Sequence, residues 1–293
     1  LTARLIDPDW LPDLRKPRIA HKYSHGHALI LSGGPGKGGA ARLAARAALR
    51  IGAGAVTLLC PPAALAENAA RLDAIMLDTC AHAAALREQL ADKRVRVVLL
   101  GPALGLAQDQ ADLVGAALAG ASECGVVLDA DAITHLARDP ILKAALHTGC
   151  VLTPHAGEFA RLCPDIAARL DAPAQAGPAY SKLDATRDAA RALGCTIVFK
   201  GPDTVIATPD GQVALHAACY DRAAPWLATA GSGDVLAGMI CGLLARGYTP
   251  FDAACWGAWL HADCALAFGP GLTADDLPDM LPRVLAQLIA RLE

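Results

Sequence analysis

The sequence predicts an α/β fold: a mainly parallel sheet covered by helices on both faces, with an antiparallel hairpin at one edge. Three observations carry this. Short, continuously apolar runs alternate with longer alanine-rich segments through most of the 293 residues. Strands that are apolar on both sides belong to sheets with two covered faces. Two alternating stretches within 204–216 flank Pro209-Asp210-Gly211, a hairpin signal. Finally, 54% hydrophobic against 19% charged residues excludes a disordered chain and supplies a sizeable core.

In chain order, strands are expected at 28–33, 55–60, 96–101, 125–130, 150–154 and 196–201. Helices are expected near 39–52, 62–72, 83–92, 109–123, 156–163 and 180–193. After the hairpin come three helical stretches at 232–246, 250–268 and 277–292. Residues 1–20 read as a lead-in, and the proline- and glycine-containing stretch 171–181 as a long surface loop. With no internal repeat, low-complexity tract or interdomain linker in view, 1–293 is expected to be a single domain.

The net charge of −3 is spread in both signs, with no basic block to suggest nucleic acid. No uninterrupted apolar run reaches the roughly 18–20 residues of a membrane span, and "VRVVLLGPALGLA" is broken by Pro102. The ten cysteines form no C-x-x-C pair. Cys60, Cys150, Cys195 and Cys241 sit in apolar runs, as buried thiols do. A cytoplasmic protein is the expectation. The first residue is Leu1 and the start lacks the order of a secretion signal. Trimming, or excision from a longer polypeptide, is expected of such a chain.

Polar and glycine residues fall where strands end, which is where open parallel sheets collect ligands. "GGPGKGGA" (33–40) follows the first strand, but Lys37 lies inside the loop, which disfavours a P-loop. Asp129 and Asp131, two apart, either share a cation through water or leave Asp131 to cap the next helix. His155 either caps a helix or touches ligand. Glu158 is either a first-turn acid or an outer partner of Mg²⁺. Lys200, ending an apolar run, is either a rim charge or a partner of a nucleotide phosphate or ribose.

"LATAGSGDVLAG" (227–238) is the stronger signal. The amides of Gly231, Ser232 and Gly233 can converge as an anion-binding nest at a helix start. Asp234 then falls in the first turn, where the helix dipole favours its ionised form. A carboxylate beside an oxyanion site suits phosphoryl transfer to a hydroxyl.

These residues, in this order, resemble the ribokinase-like superfamily, with its G-[ST/A]-G-D anion hole. The nearer likeness is to the ADP-dependent NAD(P)H-hydrate dehydratases. It is carried by "HKYSHG", "GPALG", "VVLDADAI", "LTPHAGEFARL", "KGPDTVIATPDG" and "PWLATAGSGDVLAG", ordered between His21 and about Ala267. The resemblance implies a three-layer α/β sandwich. It also implies dehydration of the S-epimer of NADHX and NADPHX at the expense of ADP, releasing AMP and phosphate, with Mg²⁺ bridging phosphates. By correspondence, Ala40, Gly105, His155 and Asp234 contact NAD(P)HX, with Asp234 as base. Lys200, Gly201, Pro202, Asp203, Thr204 and Gly233 contact the nucleotide, while Gly231, Ser232 and Gly233 form the anion hole. A homotetramer and an NAD(P)HX epimerase as functional partner are further implications, with no membrane or nucleic acid partner. The sequence departs from the family at Tyr23 and His25, which bear on how the substrate is gripped, at Ile133-Thr134, and at Ser232, where Thr is usual. An ATP-dependent small-molecule kinase of the same fold is the alternative.

Overall fold

The structure is a computed structural model and describes residues 3–120, 124–174 and 177–291. Its strands are β1 (Arg4–Leu5), β2 (His27–Leu31), β3 (Ala55–Cys60), β4 (Met76–Thr79), β5 (Val95–Leu100), β6 (Gly125–Leu128), β7 (Cys150–Leu152), β8 (Thr196–Phe199), β9 (Asp203–Ala207) and β10 (Val213–Ala217). They form one sheet in the order β1-β10-β9-β8-β7-β6-β5-β2-β3-β4. Every neighbouring pair is parallel except β8–β9 and β9–β10. The antiparallel element is therefore an insertion near one edge, with β9 and β10 turning at Pro209-Asp210-Gly211 as expected.

Among the described residues, twelve α-helices cover the sheet: α1 (Gly39–Arg50), α2 (Leu65–Ala69), α3 (Ala83–Leu90), α4 (Gln108–Gly120), α5 (Asp131–Arg138), α6 (Pro140–Ala144), α7 (Ala156–Leu162), α8 (Pro164–Asp171), α9 (Lys182–Leu193), α10 (Ser232–Ala245), α11 (Pro250–Phe268) and α12 (Asp276–Arg291). Alternate residues along each central strand enter opposite cores. Ile30, Leu99, Val127 and Val198 pack under α1, α10, α11 and α12. Leu29, Leu100, Leu128 and Ile197 pack under α3, α4, α5, α7 and α9. Two covered faces explain why these strands read as unbroken apolar runs.

The sequence missed the edge strands β1 and β4 and the helices α5, α6 and α8. The helix expected at 62–72 shortens to a 3-10 turn at Pro62–Ala64 followed by α2. Pro164 opens α8, which ends where the expected loop 171–181 begins. That loop closes at Ser181, whose side chain caps α9. Of the expected elements, residues 121–123, 175–176 and 292 lie outside the described residues.

Helix α10 crosses the middle of one face and sets the site's position. A Cβ on Gly238 or Gly242 would run into the backbone of Ala44 or Ala48 on α1. The two helices thus touch through backbone, which fixes the start of α10 beside the start of α1 at the carboxyl ends of the strands. No described helix is long and apolar enough to cross a membrane.

Candidate active site

Gly231 precedes α10 in the left-handed region, with φ 90°. A Cβ there would come within 2.9 Å of both Ala274 and Leu43. Glycine is required on both counts. The turn presents the amides of Gly231 and Gly233 at the helix start, where backbone N–H groups lack intrahelical partners; the Ser232 amide, expected in the same nest, instead donates to the Thr229 carbonyl at 3.3 Å. The Ser232 hydroxyl is turned away from this cradle and donates to the Leu227 carbonyl, 2.7 Å off. The residue that departs from Thr therefore braces the neighbouring wall.

A cavity of about 420 Å³ opens beside the nest and is lined by Asp129, His155, Glu158, Lys200 and Asp234, among others. Lys200 holds it together. Its Nζ lies 2.9 Å from Asp129 Oδ1 and 3.9 Å from Glu158 Oε2, and a Cβ on Gly233 would sit 3.3 Å from it. Three carboxylates share one ammonium. Burial first, then the charge of Asp129, pushes the Asp234 carboxyl up to about 6; Lys200 opposes this and Glu158 adds to it. The helix start favours the ionised form, as expected, but burial and two neighbouring carboxylates raise this carboxyl above an ordinary aspartate.

His155 is the N-cap of α7. Its Nδ1 accepts from the amides of Gly157 (3.0 Å) and Glu158 (3.4 Å), and Glu158 Oε2 accepts from His155 N at 2.9 Å. The imidazole remains half exposed on the cavity wall, so capping and facing the cavity are combined. Asp129 and Asp131 part company. Asp129, 2% exposed, bonds Lys200, whereas Asp131 Oδ2 accepts from Gly105 N at 2.8 Å. Asp131 is neither a cap nor a partner of Asp129 in a cation site, since the N-cap position is Ala130. Gly105 is gripped from its other side by His135, whose Nε2 lies 2.9 Å from the Gly105 carbonyl. Ala40 is in the first turn of α1, one turn before Leu43, which packs on Gly231.

A second cavity, of about 460 Å³, adjoins the nest on the β8–β9 side. Lys200, Gly201, Pro202, Thr204 and Gly233 line it, together with apolar residues from 223–228 and α11. Asp203 points elsewhere: its carboxylate pairs with Lys182 at 3.0 Å. Lys182 Nζ also donates to the carbonyls of Lys200 (3.3 Å) and Asp203 (2.6 Å), so it staples the turn that carries Lys200. Sequence reasoning missed this staple, His135, His216, His261 and the 223–228 wall. A histidine inside the mostly apolar stretch "WGAWLHADCALAF", whose other polar side chain is Asp263, was the available signal for His261.

The "HKYSHG" lead-in corrects another expectation. It forms a 3-10 turn at Lys22–His25 ahead of β2, at the amino ends of the strands. A Cβ at Gly54 would run into the Lys22 carbonyl, and one at Gly26 into the Ala245 carbonyl at the far end of α10. Tyr23 and His25 therefore belong to the plug that closes the opposite end of the sheet.

Comparison with known proteins agrees with this arrangement. The family described as NAD(P)H-hydrate dehydratase matches residues 28–288. A bifunctional NAD(P)H-hydrate repair enzyme of Moorella thermoacetica is 38% identical over 311 residues, covering 99% of this chain and 55% of that protein. An ADP-dependent (S)-NAD(P)H-hydrate dehydratase of Neisseria meningitidis is 36% identical over 256 residues, covering 84% of this chain and 78% of that protein. The chain spans about half the length of most of the curated relatives it matches. Among solved structures, an ADP/ATP-dependent NAD(P)H-hydrate dehydratase of Bacillus subtilis, co-crystallised with ATP and Mg²⁺, superposes with a TM-score of 0.79 at 27% identity. That match covers 98% of this chain and 99% of the other. The ribokinase-like fold and the ordered motifs thus lead to one assignment: the chain belongs to the NAD(P)H-hydrate dehydratase family.

Proposed function

We propose that this chain dehydrates the S-epimer of NADHX and NADPHX at the expense of ADP, releasing AMP and phosphate. The observation that carries this reading is the junction of two cavities at one anion nest, with a carboxyl held near 6 beside it. The largely apolar cavity on the β8–β9 side takes the adenine nucleotide, along Lys200, Gly201, Pro202, Thr204 and Gly233. Asp203 acts there indirectly, through Lys182. The charged cavity takes the hydrated nicotinamide, with His155 and Asp234 on its wall and Ala40 and Gly105 at its margin.

Hydroxide is a poor leaving group and phosphate a good one. Asp234 as carboxylate accepts the proton of the C6 hydroxyl, whose oxygen attacks the terminal phosphorus of ADP; the bond to the bridging oxygen breaks and AMP departs. The amides of Gly231 and Gly233 hold the moving phosphoryl oxygens. The ring nitrogen then pushes its electron pair toward C6, the C–O bond breaks, and phosphate leaves. Loss of a proton from the adjacent ring carbon restores the double bond of NAD(P)H. A carboxyl near 6 is mostly ionised at neutral pH yet a stronger base than an ordinary aspartate.

The residues present do not fit a resident divalent ion. Lys200 Nζ already bridges Asp129 and Glu158, and no group of three or more His, Cys, Asp or Glu among the described residues is arranged to hold a metal. Mg²⁺ is proposed to arrive chelated to the nucleotide, and no step above runs through it. A cytoplasmic location, a homotetramer and functional partnership with an NAD(P)HX epimerase are proposed on the family's pattern.

The test is to incubate the protein with S-NADHX, ADP and Mg²⁺. Return of the reduced-nicotinamide absorbance, with AMP and phosphate in equal amounts, is expected. Accumulation of a stable phosphorylated product would identify a small-molecule kinase instead.

A further inference from the structure

Helix α11 is apolar through most of its length, and His261 stands within it, 8% exposed, between Leu260 and Ala262. A buried ring N–H needs an acceptor. His261 Nε2 lies 2.8 Å from the carbonyl oxygen of Ser232. A carbonyl only accepts, so Nε2 carries the proton and donates it. Burial lowers this imidazole to about 4; the bond to Ser232 opposes the shift and the charge of Lys200 adds to it. The ring is therefore neutral at ordinary pH, with its tautomer fixed by the Ser232 bond.

The oxygen that accepts this bond belongs to the peptide joining Ser232 to Gly233. In a planar trans peptide the C=O and N–H point in opposite directions. Holding the oxygen therefore sets the direction of the Gly233 N–H, one of the two free donors of the nest. A hydrogen bond at the oxygen also polarises the amide and strengthens its N–H as a donor. The same ring lines the cavity beside the nest, so one side chain faces both the nucleotide space and the back of the anion cradle.

We infer that His261 is a positioning residue, whose Nε2–H aims and polarises the Gly233 amide toward the terminal phosphate of a nucleoside diphosphate. This rests on reading the nest as the terminal-phosphate site.

Calorimetric titration with AMP and ADP separates the parts. AMP reads the adenine cavity, and the ADP-to-AMP affinity ratio reads the nest. Wild-type protein is expected to prefer ADP. In His261→Leu, whatever the altered cavity wall does to AMP affinity, the preference for ADP over AMP should drop by roughly tenfold, since a donor is misaimed rather than deleted. His261→Gln, whose side-chain N–H can reach the same carbonyl, should restore most of the preference. If the leucine variant does not fold, His261→Asn, which is polar but too short to reach Ser232, gives the same reading. An unchanged ratio overturns the inference. So does equal weakening of AMP and ADP, which marks packing alone, or a glutamine variant that folds and restores nothing. A wild-type protein with no preference for ADP overturns the nest reading itself, and this inference with it. Wild-type binding that prefers ADP without any dehydration would instead sink the proposed function and leave the role of His261 to be decided by the variants.

Discussion

Asp92 and Asp234 stand at opposite ends of the sheet and titrate on opposite sides of an ordinary aspartate. Asp92, just ahead of β5, is on open surface, and hydrogen bonds from the Arg94 side chain and backbone hold it down at about 2. The Arg94 nitrogens lie 2.6–3.0 Å from its oxygens. Asp234 is half-buried beside two carboxylates that pair with a single lysine, and is pushed up to about 6. At Asp92, charge is neutralised by its nearest neighbour, and at Gly26 and Gly54 the backbone is close-packed. At the carboxyl ends, charge is confined and underpaired. One end of the molecule serves stability, and the other stores a cost that ligand binding can use.

The largest test of this contrast is Asp234→Asn. Dehydration should fall by about 10²–10⁴-fold, the range for loss of a positioned base. The same variant should be more stable than wild type. Because the folded pKa exceeds the unfolded one, Asp234 costs nothing below about pH 4 and its full penalty above about pH 6. Denaturant titration should therefore show a gain of up to about 3 kcal/mol at pH 7.5 that fades toward pH 4. Activity lost without any gain in stability would break the comparison.

Gly54→Ala should do the reverse. A Cβ there meets the Lys22 carbonyl, so the plug must move, at a cost of about 3 kcal/mol by the usual toll of overpacking. Thermal melting should fall by several degrees, while kcat per folded molecule, measured at low temperature, stays within about twofold. A large drop in kcat would show that the two ends are coupled through α10.

A smaller effect concerns pH. With ADP below saturation, kcat/KM should rise with pH to a plateau, with a midpoint near 6, as Asp234 ionises. Lys200→Met removes the one nearby charge that lowers this pKa, so its rising limb should move to higher pH. The smallest effect is expected for Asp92→Asn, where loss of an exposed pair should leave both melting temperature and activity almost unchanged.

Much of this was legible in the sequence, and the failures have physical causes. Central strands announce themselves because both faces are buried. β4, "MLDT", is partly exposed along its length and exists through pairing with β3, so no apolar run marked it. α5 carries Thr134 and His135, weak helix formers whose places are set by Ala130 and Gly105. In the site, glycine spacing revealed the nest and strand-end position revealed Lys200. The Lys200–Asp129 bond spans 71 residues, and that between His261 and Ser232 spans 29; neither leaves a local trace. The raised pKa of Asp234 left no local trace either, because a helix start is visible in sequence while the carboxylates folded against it are not.

The chain has two glycine-rich loops at strand ends, and either resembles a place for phosphate. They are not electrically equivalent. In the first, the Gly36 amide already donates to Glu67 Oε2 at 2.7 Å, and Arg42 reaches both Asn68 and Glu67 nearby. An internal carboxylate has taken the seat, and its charge repels any second anion from that amide. The chain thus carries its own blocking group at the first loop, so on the reading proposed above only the second cradle admits a nucleotide's terminal phosphate.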